Sequence, residues 1–462
     1  MKRKVIYAVL IGIGITLCGC GEGQDKAENA ESVQESTLPQ EAVGSEDNSE
    51  STSDSSSEKQ GKSSKSKSKE KTSLGENTKS SEAEGLTDQS TLNDGEELSG
   101  ETFTATESDV SAVEVSGGVN ASINSSTIAK SSGDATSADD SSFKGVNAAV
   151  RVYGDSTLTI TDCVISANAE NATGVFAYDT GTIYISDSTV DVTGGGSGGI
   201  QVAGGGTLYA DNLTVTSASK AAIRSDRGGG TLIVDGGTYT STGTGGCPAI
   251  YSTADITVSN ADCVSENSRA VIIEGKNSVT LNNCNLSGND QSTKEGSIKA
   301  NVLLYQSASG DADEGTSEFK MNGGSMTCSS GAMFYCTNTS SVIDLDNAEL
   351  TLSDDESLLI VSAGRWGKDG KNGGNCILNA KNQILSGSIK VDDISNLELN
   401  LTDSSYEGAI NTDGQAGDIS VELGNNSTWE LTGDSYISSF EGSTDQIITN
   451  GYHVYVSGNM LI

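Results

Sequence analysis

The residues of this chain that could bind a ligand recur along a strip of predicted outward positions. Because side chains alternate along a strand, the residues one and three positions after several small-apolar pairs are expected to face outward. Aromatic rings, guanidinium groups and amides on such a strip suit the apolar faces and hydroxyls of an extended glycan. An ordinary sheet surface is the alternative, since Tyr, Phe and Thr are common there. The candidate glycan-binding residues are Arg151, Tyr153, Phe176, Tyr178, Gln201, Arg224 and Tyr251.

Trp366 is a further candidate, because it stands on a predicted inserted loop. The segment 363–375 leaves the repeat register and surrounds Trp366 with Gly, Lys and Asn residues. Loops inserted into repeat proteins often hold the function. The indole could stack on a ligand, or it could anchor the loop to the body of the protein.

Acid and base groups for catalysis are few. The chain has one histidine, His453. A lyase-like site needs carboxylates that bind calcium and an Arg or Lys base. The groups on the strip that could serve are Arg151, Arg224, Asp226 and Glu274.

One acidic segment is similar to the start of a calcium-binding loop. Asp311 and Asp313 have the required spacing, but Gly315 stands where such a loop has its next acid. No C-x-x-C pair with zinc-site spacing is present. The sequence therefore predicts no cofactor and no metal ligands, and leaves calcium binding open.

The elements that must position these residues repeat. From 146 to 290 six copies of one pattern each place a small-apolar pair ahead of two apolar residues spaced i and i+2. The intervals between these later pairs are 25, 25, 24, 24 and 23 residues. One copy cannot bury its own apolar stripe, so the copies are expected to stack on a shared core. The later pairs are Leu158/Ile160, Ile183/Ile185, Leu208/Ala210, Leu232/Val234, Ile256/Val258 and Val279/Leu281.

Two positions after each pair stands a residue type that tolerates a left-handed backbone. A further apolar residue follows three positions later. Each copy is therefore predicted to contain three short strands, with a sharp bend before the third. The bend residues are Asp162, Asp187, Asn212, Gly236, Asn260 and Asn283.

This period and bend chemistry resemble the right-handed parallel β-helix of the pectate-lyase-like superfamily over residues 101–462. The resemblance implies an all-β solenoid of about a dozen coils. The polygalacturonase-like members carry paired Asp motifs and a Gly-His-Gly, which this chain lacks, so that group is excluded. The lyase motifs are absent as well.

The last residues predict a cap for the open end of the solenoid. Residues 447–456 contain Asn450-Gly451 between two apolar runs, which is typical of a β-hairpin. Such a hairpin would cover the last coil together with Trp429, Tyr436 and Phe440.

The N-terminus predicts export and a lipid anchor. Residues 1–19 look like a signal peptide, with three basic residues before an apolar run of 13 residues, too short to span a bilayer comfortably. The run ends in Leu17-Cys18-Gly19-Cys20, which resembles a bacterial lipobox with Cys20 as the lipidated residue. Residues 20–100 have almost no aromatic or branched apolar side chains, which predicts a disordered tether.

The net charge limits the kinds of partner that the protein can bind, and the cysteine positions indicate whether disulfides are expected. Beyond residue 100 the chain has 45 Asp and Glu against 16 Lys and Arg, about −29 in all. This charge argues against nucleic acid, whose binding depends on clustered basic residues. Cys263 occupies an apolar core position, and Cys163 and Cys284 share one repeat position, which favours burial as small hydrophobes over disulfides.

These patterns indicate a lipoprotein on the extracellular face of a bacterial membrane that binds extracellular polysaccharide without catalysis. The chain resembles the carbohydrate-binding β-helix lipoproteins of clostridia-type bacteria more than the lyases. An adhesin that binds protein or a host surface is one alternative, and a polysaccharide lyase acting on acidic glycans is another. The expected partners are a polysaccharide or cell-wall glycan, and the membrane through the lipid anchor only.

The lipobox predicts that Cys20 carries fatty acid after expression in a bacterial host. The full chain should incorporate labelled fatty acid and partition into the detergent phase, and Cys20→Ala should do neither. Label in the Cys20→Ala protein would show that the lipobox interpretation is wrong.

Overall fold

The computed structural model describes residues 90–293, 297–353, 356–414 and 417–462. Cys20, the predicted signal peptide and most of the predicted tether lie outside the described residues. Within them the chain is a parallel β-helix, which confirms the predicted all-β solenoid. One sheet has 12 strands, one from each of 12 successive coils, in agreement with about a dozen coils. Strands Ser90–Thr91 and Glu97–Ser99 lie before the predicted domain start at 101.

The 12-stranded sheet, called sheet 1 below, contains the strands that begin at the apolar residue of each small-apolar pair. Its neighbours pair in parallel from coil to coil. Its strands are Ser90–Thr91, Val113–Val115, Val150–Val152, Val175–Tyr178, Ile200–Ala203, Ile223–Ser225, Ile250–Ser252, Val271–Glu274, Ala300–Tyr305, Ala332–Thr337, Ser357–Val361 and Ser388–Val391.

The second row of strands, called sheet 2, contains the apolar pairs spaced i and i+2. Two of its strands continue through the bend into the third row, so both rows belong to one 22-stranded sheet. Its strands are Glu97–Ser99, Asn120–Asn124, Thr157–Thr161, Thr182–Ser186, Gly206–Ser217, Gly230–Gly245, Asp255–Ser259, Ser278–Asn282, Thr316–Asn322, Ser340–Asp346, Asn375–Lys381, Asn396–Thr402, Asp418–Leu423 and Ser439–Glu441.

The third row, called sheet 3, follows the bends. Besides the two continuous strands it contains Thr102–Ala105, Thr127–Lys130, Val164–Ala167, Thr189–Val192, Asp262–Ser268, Asn285–Gly288, Ser325–Cys328 and Glu349–Leu352. Towards the C-terminus a separate four-stranded sheet contains Ile384–Ser386, Ser405–Gly408, Thr428–Leu431 and Ile447–Ile448.

Alternation within each strand produces the core. Leu158, Ile183, Leu208 and Leu232 stand in register on successive coils, and all four are fully buried. The predicted apolar pairs therefore form continuous apolar ladders inside the solenoid. The close packing of these ladders ties each coil to its two neighbours.

The bend residues adopt the predicted left-handed backbone. Asn212 has φ +53°, Asn260 +53° and Asn283 +51°, and Asp162, Asp187 and Gly236 are also positive. Asn and Asp suit these positions because they occupy this region at lower cost than other residues with a Cβ. Their amides also link the coils, since Asn212 Nδ2 donates to Asp187 Oδ1 at 2.8 Å.

The predicted C-terminal hairpin is wrong in its position. Ile447–Ile448 pairs in parallel with Trp429 and Glu430, whereas Val454–Val456 pairs in parallel with Ser435–Ile437 on another face. The turn at Asn450-Gly451 therefore continues the coil and does not reverse it. The hairpin forms one step later, where Tyr455 and Val456 pair antiparallel with Asn459–Met460.

The segment 288–318, whose sequence leaves the repeat register, contains a strand of the repeat. Ala300–Tyr305 pairs with Val271–Glu274 in sheet 1, and the loop 306–315 follows it. The strand was missed because its side chains are buried on both faces, which removes the alternation that marks the other strands. The described part of the chain also contains two short helices outside the sheets, Ala138–Lys144 and the 3₁₀ turn Thr444–Gln446.

Replacement of Asn260 by Val should destabilise the solenoid by about 1–2 kcal/mol, because a β-branched residue is penalised at positive φ. The loss of the hydrogen bond from Asn260 Nδ2 to Asp235 Oδ1, 2.7 Å long, adds to the effect. Asn260→Gly is the matched control, since it loses the same hydrogen bond but tolerates the backbone. Equal denaturation midpoints for Asn260→Val and the wild type would contradict the left-handed bend.

Candidate functional site

The residues of the predicted strip lie in register on the outer face of sheet 1. Arg151 is paired with Phe176, Phe176 with Gln201, Gln201 with Arg224, and Arg224 with Tyr251. The coil alignment behind the strip is therefore correct.

The expectation that this strip faces solvent is wrong for its middle. Phe176 and Gln201 are fully buried, because the chain between sheet-3 strand Thr127–Lys130 and sheet-1 strand Val150–Val152 folds over them. Phe176 packs with Ala148, Ala203 and partly buried Tyr178. The Phe176 ring therefore serves packing and cannot stack on a glycan while the cover is in place.

The cover is the helix Ala138–Lys144, which the repeat pattern did not predict. Ser137 caps its N-terminus by accepting a hydrogen bond from the Asp140 N–H at 3.1 Å, and Gly145 ends it with φ +70°. Asp140 and Lys144 form an exposed i,i+4 ion pair on its outer side. Local capping therefore supports a helix that is too short to be stable alone.

Polar side chains of the strip hold this helix. Gln201 Nε2 donates to the Ser142 carbonyl oxygen at 2.8 Å, and Arg151 Nε donates to the Lys144 carbonyl oxygen at 2.8 Å. Lys220 donates to Ser142 Oγ. Burial lowers the pKa of Lys220 to about 8, and the nearby positive charge of Arg224 acts in the same direction.

Arg151 and Tyr153 are engaged with each other and with one carboxylate. Arg151 lies 4.3 Å from the centroid of the Tyr153 ring, and its Nη1 is 3.3 Å from Glu114 Oε2. The Tyr153 hydroxyl donates to Glu114 Oε1 at 3.0 Å. These contacts therefore occupy the polar groups of two candidate glycan-binding residues.

Arg224 is likewise paired within the protein. Its Nε and Nη2 donate to Asp226 Oδ2 at 3.0 and 2.8 Å, and its guanidinium lies 4.3 Å from the centroid of the Tyr251 ring. Burial alone would lower the pKa of Arg224, but the Asp226 carboxylate together with Tyr251 and Tyr305 outweighs it, and the pKa is raised. Arg224 therefore remains protonated, which does not suit a general base.

The Glu274 carboxylate, beside this pair, accepts hydrogen bonds from several hydroxyl groups. The hydroxyls of Tyr251 and Tyr305 donate to its Oε2 at 2.6 and 2.8 Å, and Ser307 and Ser309 donate to Oε1. Burial, with the neighbouring Tyr305 and Glu274, raises the pKa of Tyr251 well above its ordinary value. The buried carboxylate thus fixes the loop 306–315 to the face of sheet 1.

Trp366 contacts the body of the protein. Its ring lies 4.5 Å from the Tyr305 ring, and it packs on a cluster that includes Leu303 and Tyr335. Its carbonyl oxygen accepts a hydrogen bond from Asn372 Nδ2 at 2.9 Å. The geometry therefore favours the anchoring role of Trp366 over stacking on a ligand.

The acidic segment at 311–315 is linked to the helix Ala138–Lys144 through Arg227. Asp311 forms an ion pair with Arg227, whose guanidinium also lies 4.2 Å from the Phe143 ring centroid of the helix. Within the described ranges, no group of three or more His, Cys, Asp or Glu side chains is arranged to hold a metal ion.

An open aromatic surface exists on the outer face of sheet 2. Tyr184, Tyr209 and Ile233 stand in register on three successive coils and are 46%, 36% and 39% exposed. The two tyrosine rings are parallel, with centroids 4.9 Å apart and 5° between their planes. They line a shallow groove of about 330 Å³, called the tyrosine groove below.

Two polar rows flank the tyrosine groove, because alternate residues of each strand share a face. One row lies two residues before the aromatic row and presents hydroxyls from Thr157, Thr182, Thr207 and Thr231. The other lies two residues after it and presents Thr161, Ser186, Asp211 and Asp235. The groove therefore combines an apolar centre with hydrogen-bonding edges.

The sequence carried a signal for this surface that was missed. Tyr184 stands between Ile183 and Ile185, and Tyr209 between Leu208 and Ala210. A residue between two inward positions must face outward. Outward positions were considered only for sheet 1, so two tyrosines at equivalent repeat positions were not recognised.

Phe176→Ala should lower the free energy of unfolding by about 3 kcal/mol, since it removes a fully buried ring. Tyr184→Ala is the matched control, and its effect should stay within about 0.5 kcal/mol because its ring is exposed. Urea denaturation followed by circular dichroism measures both. An unchanged midpoint for Phe176→Ala would mean that the helix does not close over the ring.

Comparisons with known proteins add no relative: no family model, no curated protein and no solved structure matches the chain. Among the described residues, no helix is long and apolar enough to cross a membrane.

Proposed function

We propose that this protein binds an extracellular polysaccharide without catalysis and that the tyrosine groove is the binding surface. The observation that carries the proposal is the parallel, exposed stack of Tyr184 and Tyr209 on a flat sheet. Large aromatic side chains are usually buried, and an exposed aromatic patch bordered by polar residues is typical of an interaction site.

The shape of the groove suits an extended chain of sugar rings. Tyr184, Tyr209 and Ile233 form an apolar row that crosses successive coils at about 4.8 Å per coil. The apolar faces of sugar rings can lie on such a row, while the flanking Thr hydroxyls and Asp carboxylates meet the sugar hydroxyls. A repeating ligand on a repeating surface gains several equivalent contacts.

Charge favours a neutral glycan over an acidic one. Asp211 and Asp235 are exposed along one edge of the groove. Carboxylates accept hydrogen bonds from hydroxyl groups, and they repel uronate carboxylates. Arg151 and Arg224, which could otherwise attract an acidic glycan, are paired with Glu114 and Asp226.

The proposal includes display on the cell surface. A lipid anchor at Cys20, followed by the tether, would hold the solenoid away from an exporting cell, where polysaccharide is accessible. Kinship with the pectate-lyase-like superfamily and with the carbohydrate-binding β-helix lipoproteins is part of the same proposal. Its support is the parallel β-helix together with the lipobox pattern.

The double variant Tyr184→Ala/Tyr209→Ala should bind polysaccharide at least about tenfold more weakly, since burial of one aromatic ring contributes about 1.5 kcal/mol or more. Affinity electrophoresis and calorimetry on a panel of neutral and acidic polysaccharides, with and without chelator, measure this loss. The circular dichroism spectrum should not change.

Two controls separate the groove from other surfaces. Tyr452→Ala removes a tyrosine that is 41% exposed near the C-terminus, and it should bind as the wild type does. Trp366→Ala tests the inserted loop. If only Trp366→Ala loses binding, the groove is not the site. If the wild type binds no polysaccharide, the proposal fails and adhesion to protein becomes the hypothesis to test. Unsaturated uronide released from pectate with calcium would instead indicate a lyase.

A further inference from the structure

Two of the buried cysteines touch. Cys336 lies in sheet-1 strand Ala332–Thr337, and Cys376 lies in sheet-2 strand Asn375–Lys381 of the next coil. Their sulfur atoms are 3.6 Å apart, and both side chains are buried. This is contact between two free thiols, since a disulfide bond is about 2.05 Å long.

The chain between them contains three further repeat strands and then the loop that carries Trp366. The strand Ser357–Val361 stacks on the strand of Cys336, and Val361 is the direct neighbour of Cys336. The loop then leaves the solenoid and returns at Gly374, where an added Cβ would be 2.7 Å from the Cys336 carbonyl oxygen. The two cysteines therefore mark the base of the Trp366 loop.

We propose that Cys336 and Cys376 form a disulfide bond that joins the two coils across the base of this loop. The oxidant is a disulfide, either of a small thiol compound or of a protein dithiol. One cysteine thiolate attacks a sulfur of the oxidant and forms a mixed disulfide. The other thiolate then displaces the remaining oxidant sulfur. The two cysteines lose two electrons and two protons, and the oxidant leaves as two thiols.

Burial determines when the bond can form. Contact with the Cys336 thiol, together with burial, raises the pKa of Cys376 well above its ordinary value, so the folded protein holds few reactive thiolates there. The bond therefore forms while the coils are still assembling. The closed segment joins residues 40 positions apart, and the cross-link stabilises the fold by restricting the unfolded chain. The proposal is independent of the polysaccharide ligand.

The test begins with the full chain, refolded in a buffer of reduced and oxidised glutathione. The protein is then denatured with an alkylating agent and digested with trypsin. Cleavage after Lys320, Arg365, Lys371 and Lys381 places Cys336 in fragment 321–365 and Cys376 in fragment 372–381. Mass spectrometry should find these fragments joined through sulfur, with the other described cysteines alkylated. Full alkylation of Cys336 and Cys376 would overturn the proposal.

Cys328 provides a matched control, because it is buried and lies in the same tryptic fragment as Cys336. Cys328→Ala should keep the linked fragments, whereas Cys336→Ala and Cys376→Ala should lose them. The wild type should melt about 5 °C higher without reductant than after refolding with it. The melting temperature of Cys376→Ala should not depend on reductant. A linkage through Cys328, or one that survives in Cys336→Ala, would also overturn the proposal.

Discussion

The whole structure depends on parallel pairing between neighbouring coils. No single coil can bury its apolar side chains, so Leu158, Ile183 and Leu208 are covered only because the coils stack in register. A slip of one residue in any coil would place its apolar residues outside. The bends prevent such a slip, because a left-handed residue at Asp187 or Asn212 fixes where each coil turns from sheet 2 to sheet 3. Core and bend therefore specify the same register independently.

Period and bend chemistry could be predicted because both are local. A pair such as Ile183/Ile185, followed at a fixed distance by Asp187, predicts a strand within five residues. It also indicates which face of the strand points inward and where the strand ends. The tyrosine groove was predictable on the same grounds, since Tyr184 stands between inward residues. The burial of Phe176 was not predictable in this way. It depends on a helix that belongs to no repeat, and the contact between Ser142 and Gln201 joins residues 59 positions apart.

The two faces of the solenoid differ because insertions can leave it only at certain corners. The bend between sheets 2 and 3 takes few residues; for example, Thr161 ends one strand and Val164 begins the next. Helix Ala138–Lys144 and the loops at 306–315 and 363–374 arise at the corners that flank sheet 1, and they fold onto its outer face. Sheet 1 is consequently closed over much of its length, and its aromatic residues pack against the insertions. Among the residues that the structure describes, none folds over sheet 2 beside Tyr184 and Tyr209, so these rings stay accessible.

The outer faces of sheets 1 and 2 also differ in how their charged side chains are paired. Beyond residue 100 the chain has 16 basic residues for 45 acidic ones, and several of the arginines pair with carboxylates on or beside sheet 1: Arg151 with Glu114, Arg224 with Asp226, Arg227 with Asp311 and Arg269 with Asp290. At the bend edge near the tyrosine groove, Asp187 and Asp235 instead receive amides from the next coil, from Asn212 and Asn260. Such amides satisfy the carboxylates without neutralising them, because a neutral donor leaves the charge in place. The open face therefore keeps a negative edge beside an apolar row, and a ligand rich in hydroxyl donors fits it better than an anionic one.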